Sequence, residues 1–260
     1  MRAITNRLRP FTLALGAVAL AVTASAQNAV TQVDDATMST ATILLKMKKL
    51  YAGAHSYRDS GEVRTATVIE GGRAGNQRPF TTAFVRPMRF RFQFTDRGLG
   101  ERTSSYIVWS DATEARSWWD AKPGVRHPGS LQAALDAAAG ISGAASVRVP
   151  GMLMPDVVGE GTPLVAAERI ENASDRGVVC FRITGKTRKT PYTTTMSGRT
   201  VTVQDESVTL WIERGTFLLR KVEETKTFDT YRSESVTTYS PEINIEIPAA
   251  QLAFGAPEAP

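Results

Sequence analysis

The chain has 260 residues, of which 42% are hydrophobic and 22% charged, with 20 glycines and 13 prolines. This composition excludes a disordered or collagen-like chain and leaves room for a sizeable core in one large all-β domain or two smaller ones. A single cysteine, Cys180, excludes an intrachain disulfide, and with two histidines it leaves no classical zinc site.

The formal charge of +5 is concentrated at the N-terminus. Arg2, Arg7 and Arg9 form a positive region, Phe11 to Val22 is apolar, and Ala24-Ser25-Ala26 has the small residues of a cleavage site. The pattern predicts a secretory signal peptide over 1–26, with the mature chain beginning at Gln27. The apolar run is shorter than the ~18 residues a membrane span needs. No cysteine near the cut offers a lipid anchor. Removing three arginines lowers +5 to +2, so the basic balance is no argument for nucleic acid.

Residues 27–35 form a polar lead in which Asp34 and Asp35 are candidate N-caps. From Ala36 to about Ala54 the period is helical: Ile43, Leu44, Met47, Leu50 and Tyr51 make one apolar stripe. Ser56-Tyr57-Arg58-Asp59-Ser60-Gly61 reads as a turn-rich stop. The period then becomes two. Glu62 to Glu70 is a strand, Gly71 to Asn76 a loop, and Phe80 to Arg86 a second strand. After Pro87, Met88, Phe90, Phe92 and Phe94 alternate strictly with Arg89, Arg91, Gln93 and Thr95, which predicts a half-buried strand. Tyr106 to Trp109 and Glu114 to Trp119 continue the meander around a turn at Ser110-Asp111-Ala112.

The middle reads as loops and short helices. Ser130 caps an Ala- and Leu-rich helix to Ala139. Gly151-Met152-Leu153-Met154-Pro155 is an apolar island between breakers. Strands resume at Leu164, with β-branched and aromatic runs over 178–184, 200–213, 217–227 and 232–239. Glu213-Arg214-Gly215-Thr216 is a hairpin connection, 186–199 a long loop or ragged hairpin, and the tail after Pro248 is read as loosely held. The expected organisation is one domain over 27–260, mainly β with α: a curved antiparallel sheet covered by helices.

Catalytic chemistry is hard to assemble from these residues. There is no G-x-S-x-G, H-E-x-x-H or phosphate-binding G-x-x-x-x-G-K-[ST] pattern. His55 and His127 sit in poor contexts for a general base, and Cys180 lies within an apolar run. No function is expected of these three residues, no enzyme activity is expected, and neither a metal nor a cofactor is called for.

A family pattern is carried by a helix ending in Ala-x-x-Tyr, then Phe84-Val85-Arg86-Pro87-Met88-Arg89-Phe90-Arg91-Phe92, then Ile107-Val108-Trp109-Ser110-Asp111 and Trp118. Leu210 to Glu213, Leu218 to Val222, Tyr239-Ser240-Pro241 and Asn244 follow in order. Together they resemble the LolA-like periplasmic superfamily across nearly the whole mature chain. The resemblance implies an unclosed, bent antiparallel β-barrel covered by an N-terminal helix and short lid helices, enclosing an apolar cavity for lipid or lipoprotein acyl chains. It implies that Arg86 hydrogen-bonds to the lid and latches it. Ala112 stands where the family has glycine. The ligand-binding residues expected on this basis are Arg86, Met88, Phe90, Phe92, Phe94, Met152, Leu153 and Met154. The function implied is that of a monomeric periplasmic binding protein for acyl chains or another amphiphile. The alternative is an envelope sensor that binds a protein partner through the same fold.

Overall fold

The computed structural model describes residues 38–97, 103–159, 164, 166–196 and 198–255. The expected signal peptide and the N-caps expected at Asp34 and Asp35 lie outside them. Helix α1 (Thr40–Gly53) is capped by Ser39, whose hydroxyl accepts the Thr42 amide at 3.2 Å. Six strands follow: β1 (Ser56–Ile69), β2 (Gly72–Val85), β3 (Arg89–Arg97), β4 (Thr103–Asp111), β5 (Ala115–Trp119) and the two-residue β6 (Val125–Arg126). Helices α2 (Leu131–Ala139), α3 (Ala145–Leu153) and the single turn α4 (Pro155–Val158) occupy the middle. The second half holds β7 (Ala166–Asp175), β8 (Val178–Lys186), β9 (Tyr192–Met196), β10 (Arg199–Val203), β11 (Asp205–Glu213), β12 (Leu219–Thr227), β13 (Arg232–Tyr239) and β14 (Glu242–Ile243), then a short α5 (Ala249–Leu252).

One antiparallel sheet takes in twelve of these strands, in the order β6-β5-β4-β3-β2-β1-β13-β12-β11-β8-β7, with β14 added against β1. The β9–β10 hairpin stands apart. Among the described residues β6 and β7 do not pair, so the sheet is an open half-barrel, as expected. The two meanders join through β1 and β13, in the register Gly61↔Tyr239 and Val63↔Thr237. No helix among the described residues is long and apolar enough to cross a membrane.

Directly opposed residues of an antiparallel pair share a face. The register Phe84↔Phe90, Thr82↔Phe92 and Phe80↔Phe94 therefore gathers five phenylalanines on one side, and Phe94↔Tyr106 extends the row. All five are buried, in one cluster with Ile43, Met47 and Tyr51 of α1, Leu135 of α2 and Leu153 of α3. The helices cover this concave face and bury its apolar side chains with their own.

Three local readings are overturned. Ser56 to Gly61 is not a turn but the start of β1, paired from Ser56↔Val85 onward. Its turn-forming residues are held by distant partners: Ser56 Oγ donates to the Ile245 carbonyl at 2.6 Å, and Asp59 accepts the Ser240 amide at 2.7 Å. Gly61 is there for space, since a Cβ would lie 2.3 Å from both the Phe80 ring and the Thr238 carbonyl. Likewise the segment from Gly72 to Asn76 is strand, and the connection shrinks to a tight turn with Gly71 at φ +79. The C-terminal tail is also held: Trp109 Nε1 donates to the Leu252 carbonyl at 2.6 Å, and its ring meets Phe254 at 5.7 Å.

Ala112 adopts φ 83 in the turn after β4, where Asp111 accepts the amides of Thr113 and Glu114. Left-handed backbone costs a Cβ-bearing residue about 1–2 kcal/mol, offset in part by the greater unfolded-state freedom of glycine. Ala112→Gly should therefore raise the free energy of unfolding by about 0.5–1 kcal/mol, read as a higher urea midpoint at unchanged slope.

Candidate functional site

The chain reverses at Arg86-Pro87-Met88, between β2 and β3, beside the C-terminal end of α1. Arg86 lies there half-buried. Its Nε donates to the Ala54 carbonyl at 2.7 Å and its Nη2 to the Ala52 carbonyl. The same Nη2 reaches the Leu153 carbonyl at 3.0 Å. One guanidinium thus joins the sheet, the end of α1 and the end of α3. Free carbonyls at helix C-termini attract cations, and a planar five-donor fork can serve several at once.

The other residues expected at the site divide into two groups. Phe90, Phe92 and Phe94 form the bed beneath the helices, and Met152, Leu153 and Met154 press down from above, all six buried in the same cluster. Met88 sits in the turn beside Arg86, half-buried and apart from that cluster. Pro150 lies inside α3, which runs through it to Leu153, so the apolar island is the last turn of a helix rather than a loop.

Among the described residues the interior is packed with the protein's own side chains. Open apolar space lies at the free edge instead. A cleft of about 400 Å³ is lined by Tyr106, Trp119, Pro128, Ala134, Ala137 and Ile141, among others. A row of rings leads from the core to it: Tyr239–Phe80 at 5.7 Å, Phe80–Phe92 at 5.9 Å, Phe92–Phe94 at 6.3 Å, Phe94–Tyr106 at 5.6 Å and Tyr106–Trp119 at 6.3 Å. The Tyr106 hydroxyl donates to the Ala134 carbonyl at 3.1 Å, which fastens α2 over the row. Tyr106 was open to sequence reasoning through its alternation with Val108; the cleft was not, because α2 supplies its far wall.

Two further interactions in the interior escaped the sequence. Arg148 of α3 meets Glu224 of β12 at 3.4 Å, and Lys226 meets the same carboxylate at 2.7 Å. Burial opposes the charge on Glu224, but Arg148 and Lys226 outweigh it and hold its carboxyl below the usual range. Asp59 is 2% exposed under α1, near Tyr51, Tyr57 and Tyr239. The buried Tyr57 hydroxyl interacts with the Asp59 carboxyl and favours its charged form. Burial, the dominant influence, pushes the Asp59 pKa up to about 7 despite the Ser240 amide.

Cys180 is fully buried, and desolvation pushes its thiol up to about 11. The His55 amide donates to Asn244 Oδ1 at 3.0 Å, while the exposed His127 lies 3.5 Å from Glu114. These three residues are not brought together with one another, and His127 lines the edge cleft beside α2.

No family model matches the chain, and no curated protein matches it. Several solved structures are similar to it. They include a LolA superfamily protein from Nitrosomonas europaea, at 13% identity over 84% of this chain and 98% of that one, with a TM-score of 0.31. LprF from Mycobacterium bovis is similar at 10% identity, over 80% and 93% of the two chains, with a TM-score of 0.39. MucB in the Pseudomonas aeruginosa MucA/MucB complex is similar at 9% identity, over 82% of this chain and 60% of that one, also with a TM-score of 0.39.

Proposed function

We propose that this is a periplasmic binding protein that holds the acyl chain of a lipid or lipoprotein between the aromatic concave face and the helical lid. One observation carries the reading. A continuous row of rings runs from the core to an apolar cleft at the open edge, under helices tied down by a few polar contacts. Such a row is a surface that could be covered either by the lid or by a ligand. The lid is the cover here, and its methionines suit a surface that repacks.

The energetics set the size of the cargo. Val149, Met152, Leu153, Met154 and Val158 of the lid are buried. At about 1.5–3 kcal/mol each, exposing all five would cost roughly 8–15 kcal/mol, and burying a methylene returns about 0.8 kcal/mol. Roughly 10–19 methylenes offset full displacement, so long chains bind and short ones do not. Arg86 sets the balance by bonding to the lid only when it is closed.

Fluorescent fatty acyl probes of eight and sixteen carbons test this with the mature protein. The sixteen-carbon probe should bind and be displaced by unlabelled long-chain lipid, and the eight-carbon probe should not bind measurably. No binding of either, or equal binding of both, would count against an acyl-chain cavity. Capture of an envelope protein by a chain that binds neither probe would support the sensor reading instead.

A further inference from the structure

A second cavity, of about 340 Å³, lies on the concave face beyond the lid. Sheet residues Thr65, Ser233, Ser235 and Lys226 form its floor, the loop joining α2 and α3 its near wall, and Arg188, Tyr192 and Thr194 its far wall. It follows directly from the apolar interior. Val63 and Thr65 are alternate residues of β1, Thr237 and Ser235 of β13, and Val222 and Glu224 of β12. Along each strand an apolar or buried residue gives way to a polar one. Gly143 in the α2–α3 loop separates the two spaces, pressed so close that a Cβ would lie 2.7 Å from Val63 and 3.0 Å from the Ser235 hydroxyl.

The charges in this cavity are unequal in their commitments. Glu224 is taken by Arg148 and Lys226. Glu206, buried behind Tyr192, accepts the Thr187 amide at 2.8 Å, the Thr187 hydroxyl and the Tyr192 hydroxyl at 2.7 Å. Arg188 has no carboxylate partner among the described residues. Its guanidinium lies over the Tyr192 ring, 5.2 Å from the centroid. Stacking fixes the plane of an arginine and leaves its N–H edge for a planar or tetrahedral oxyanion. Arg188 and Lys226 against Glu224 leave the lining one positive charge in excess. Six lining residues carry hydroxyls, and beyond the two bonded to Glu206 those of Thr65, Thr194, Ser233 and Ser235 are donors that a phosphate or its esterified polyol can use.

We propose that this cavity is the head-group subsite of the carrier and takes the phosphate of a phosphorylated, hydroxyl-bearing lipid head. The assignment rests on the acyl-chain reading above: the chain lies along the aromatic row, and the phosphate sits against Arg188 and Lys226 past the α2–α3 loop. A phosphate ester without a chain offers the same chemistry, so the experiment separates the two sources.

Competition against the sixteen-carbon probe should be measured with lysophosphatidylglycerol, with monoacylglycerol of the same acyl chain, and with glycerol 3-phosphate. Wild type should prefer the phosphorylated lipid by about 10-fold, the worth of one charge-assisted hydrogen bond. Arg188→Ala, an exposed position, should abolish that preference while monoacylglycerol affinity stays unchanged. Glycerol 3-phosphate alone should not displace the probe. A preference that survives Arg188→Ala, or no preference in wild type, would overturn the subsite and leave the acyl reading standing. Tight Arg188-dependent binding of glycerol 3-phosphate would reassign the cavity to soluble phosphate esters. Failure of both lipids to compete would remove the carrier reading and the subsite with it.

Discussion

Arg86→Leu should hold a preloaded acyl probe at least ~10-fold longer than wild type when acceptor vesicles are offered, with the fold retained. On the proposed carrier reading the closed form excludes cargo, because Met152, Leu153 and Met154 occupy the space over the phenylalanines. Release therefore needs the lid to return, and the bond from Arg86 Nη2 to the Leu153 carbonyl exists only once it has. A hydrogen bond from a charged donor contributes about 1.5–3 kcal/mol, and about 1.4 kcal/mol is tenfold in a two-state balance. The bonds from Arg86 to Ala52 and Ala54 hold the end of α1 rather than α3. Their loss lowers overall stability without biasing the lid.

Controls separate those effects. Arg89→Leu replaces an exposed residue on the opposite face of β3 from Phe90 and should release like wild type. Arg86→Lys keeps a charge but not the fork, and should fall between. Circular dichroism and urea midpoints establish that each variant is folded at the assay temperature. Equal release from folded Arg86→Leu and wild type would reject the latch.

How much of this was legible depended on sequence distance. The alternation from Met88 to Thr95 fixed a strand and its buried face, because a period of two in large aromatic side chains fits little else. The Arg86-Pro87 pair marked the reversal between β2 and β3, and Ser130 marked the start of α2, where its hydroxyl accepts the Ala133 amide at 3.1 Å. Ser56 to Gly61 misled because its residues are good turn formers on local grounds. Their partners are Ser240 and Ile245, far along the chain in the C-terminal segment, and nothing in the local pattern announces them. The site divides in the same way. Its apolar halves were visible as runs, whereas the Arg148–Glu224 pair spans 76 residues and the second cavity draws on several separate segments.

Asp59→Asn should change how stability depends on pH more than it changes stability at any one acidic pH. The carboxyl lies beneath α1 with Tyr51, Tyr57 and Tyr239 around it and Arg220 as the cation within electrostatic reach. Burial raises its pKa from 3.8 to about 7. Between those values the folded chain keeps a proton that the unfolded chain has released. Protons bound in the native state exceed those bound in the unfolded state, so stability falls as pH rises through this window. The contribution is complete below about pH 4 and lost above about pH 7. A rise from 3.8 to about 7 corresponds to roughly 4 kcal/mol, at most ~1.4 kcal/mol per pH unit. Asparagine keeps an oxygen to accept the Ser240 amide and has no proton to lose. Urea unfolding of wild type and Asp59→Asn should therefore give similar midpoints near pH 4 and diverge steadily to about pH 7, the variant becoming the more stable by up to ~4 kcal/mol. Above about pH 7 the gap should stay constant. Because the tyrosines packed on Asp59 include Tyr51 of α1, whose hydroxyl accepts the Leu219 amide at 3.1 Å, the loss at high pH falls on the seat of the N-terminal helix. Parallel stability curves for the two proteins from about pH 4 to about pH 8 would show that the Asp59 carboxyl is ionised in the folded chain throughout, with a partner strong enough to offset its burial.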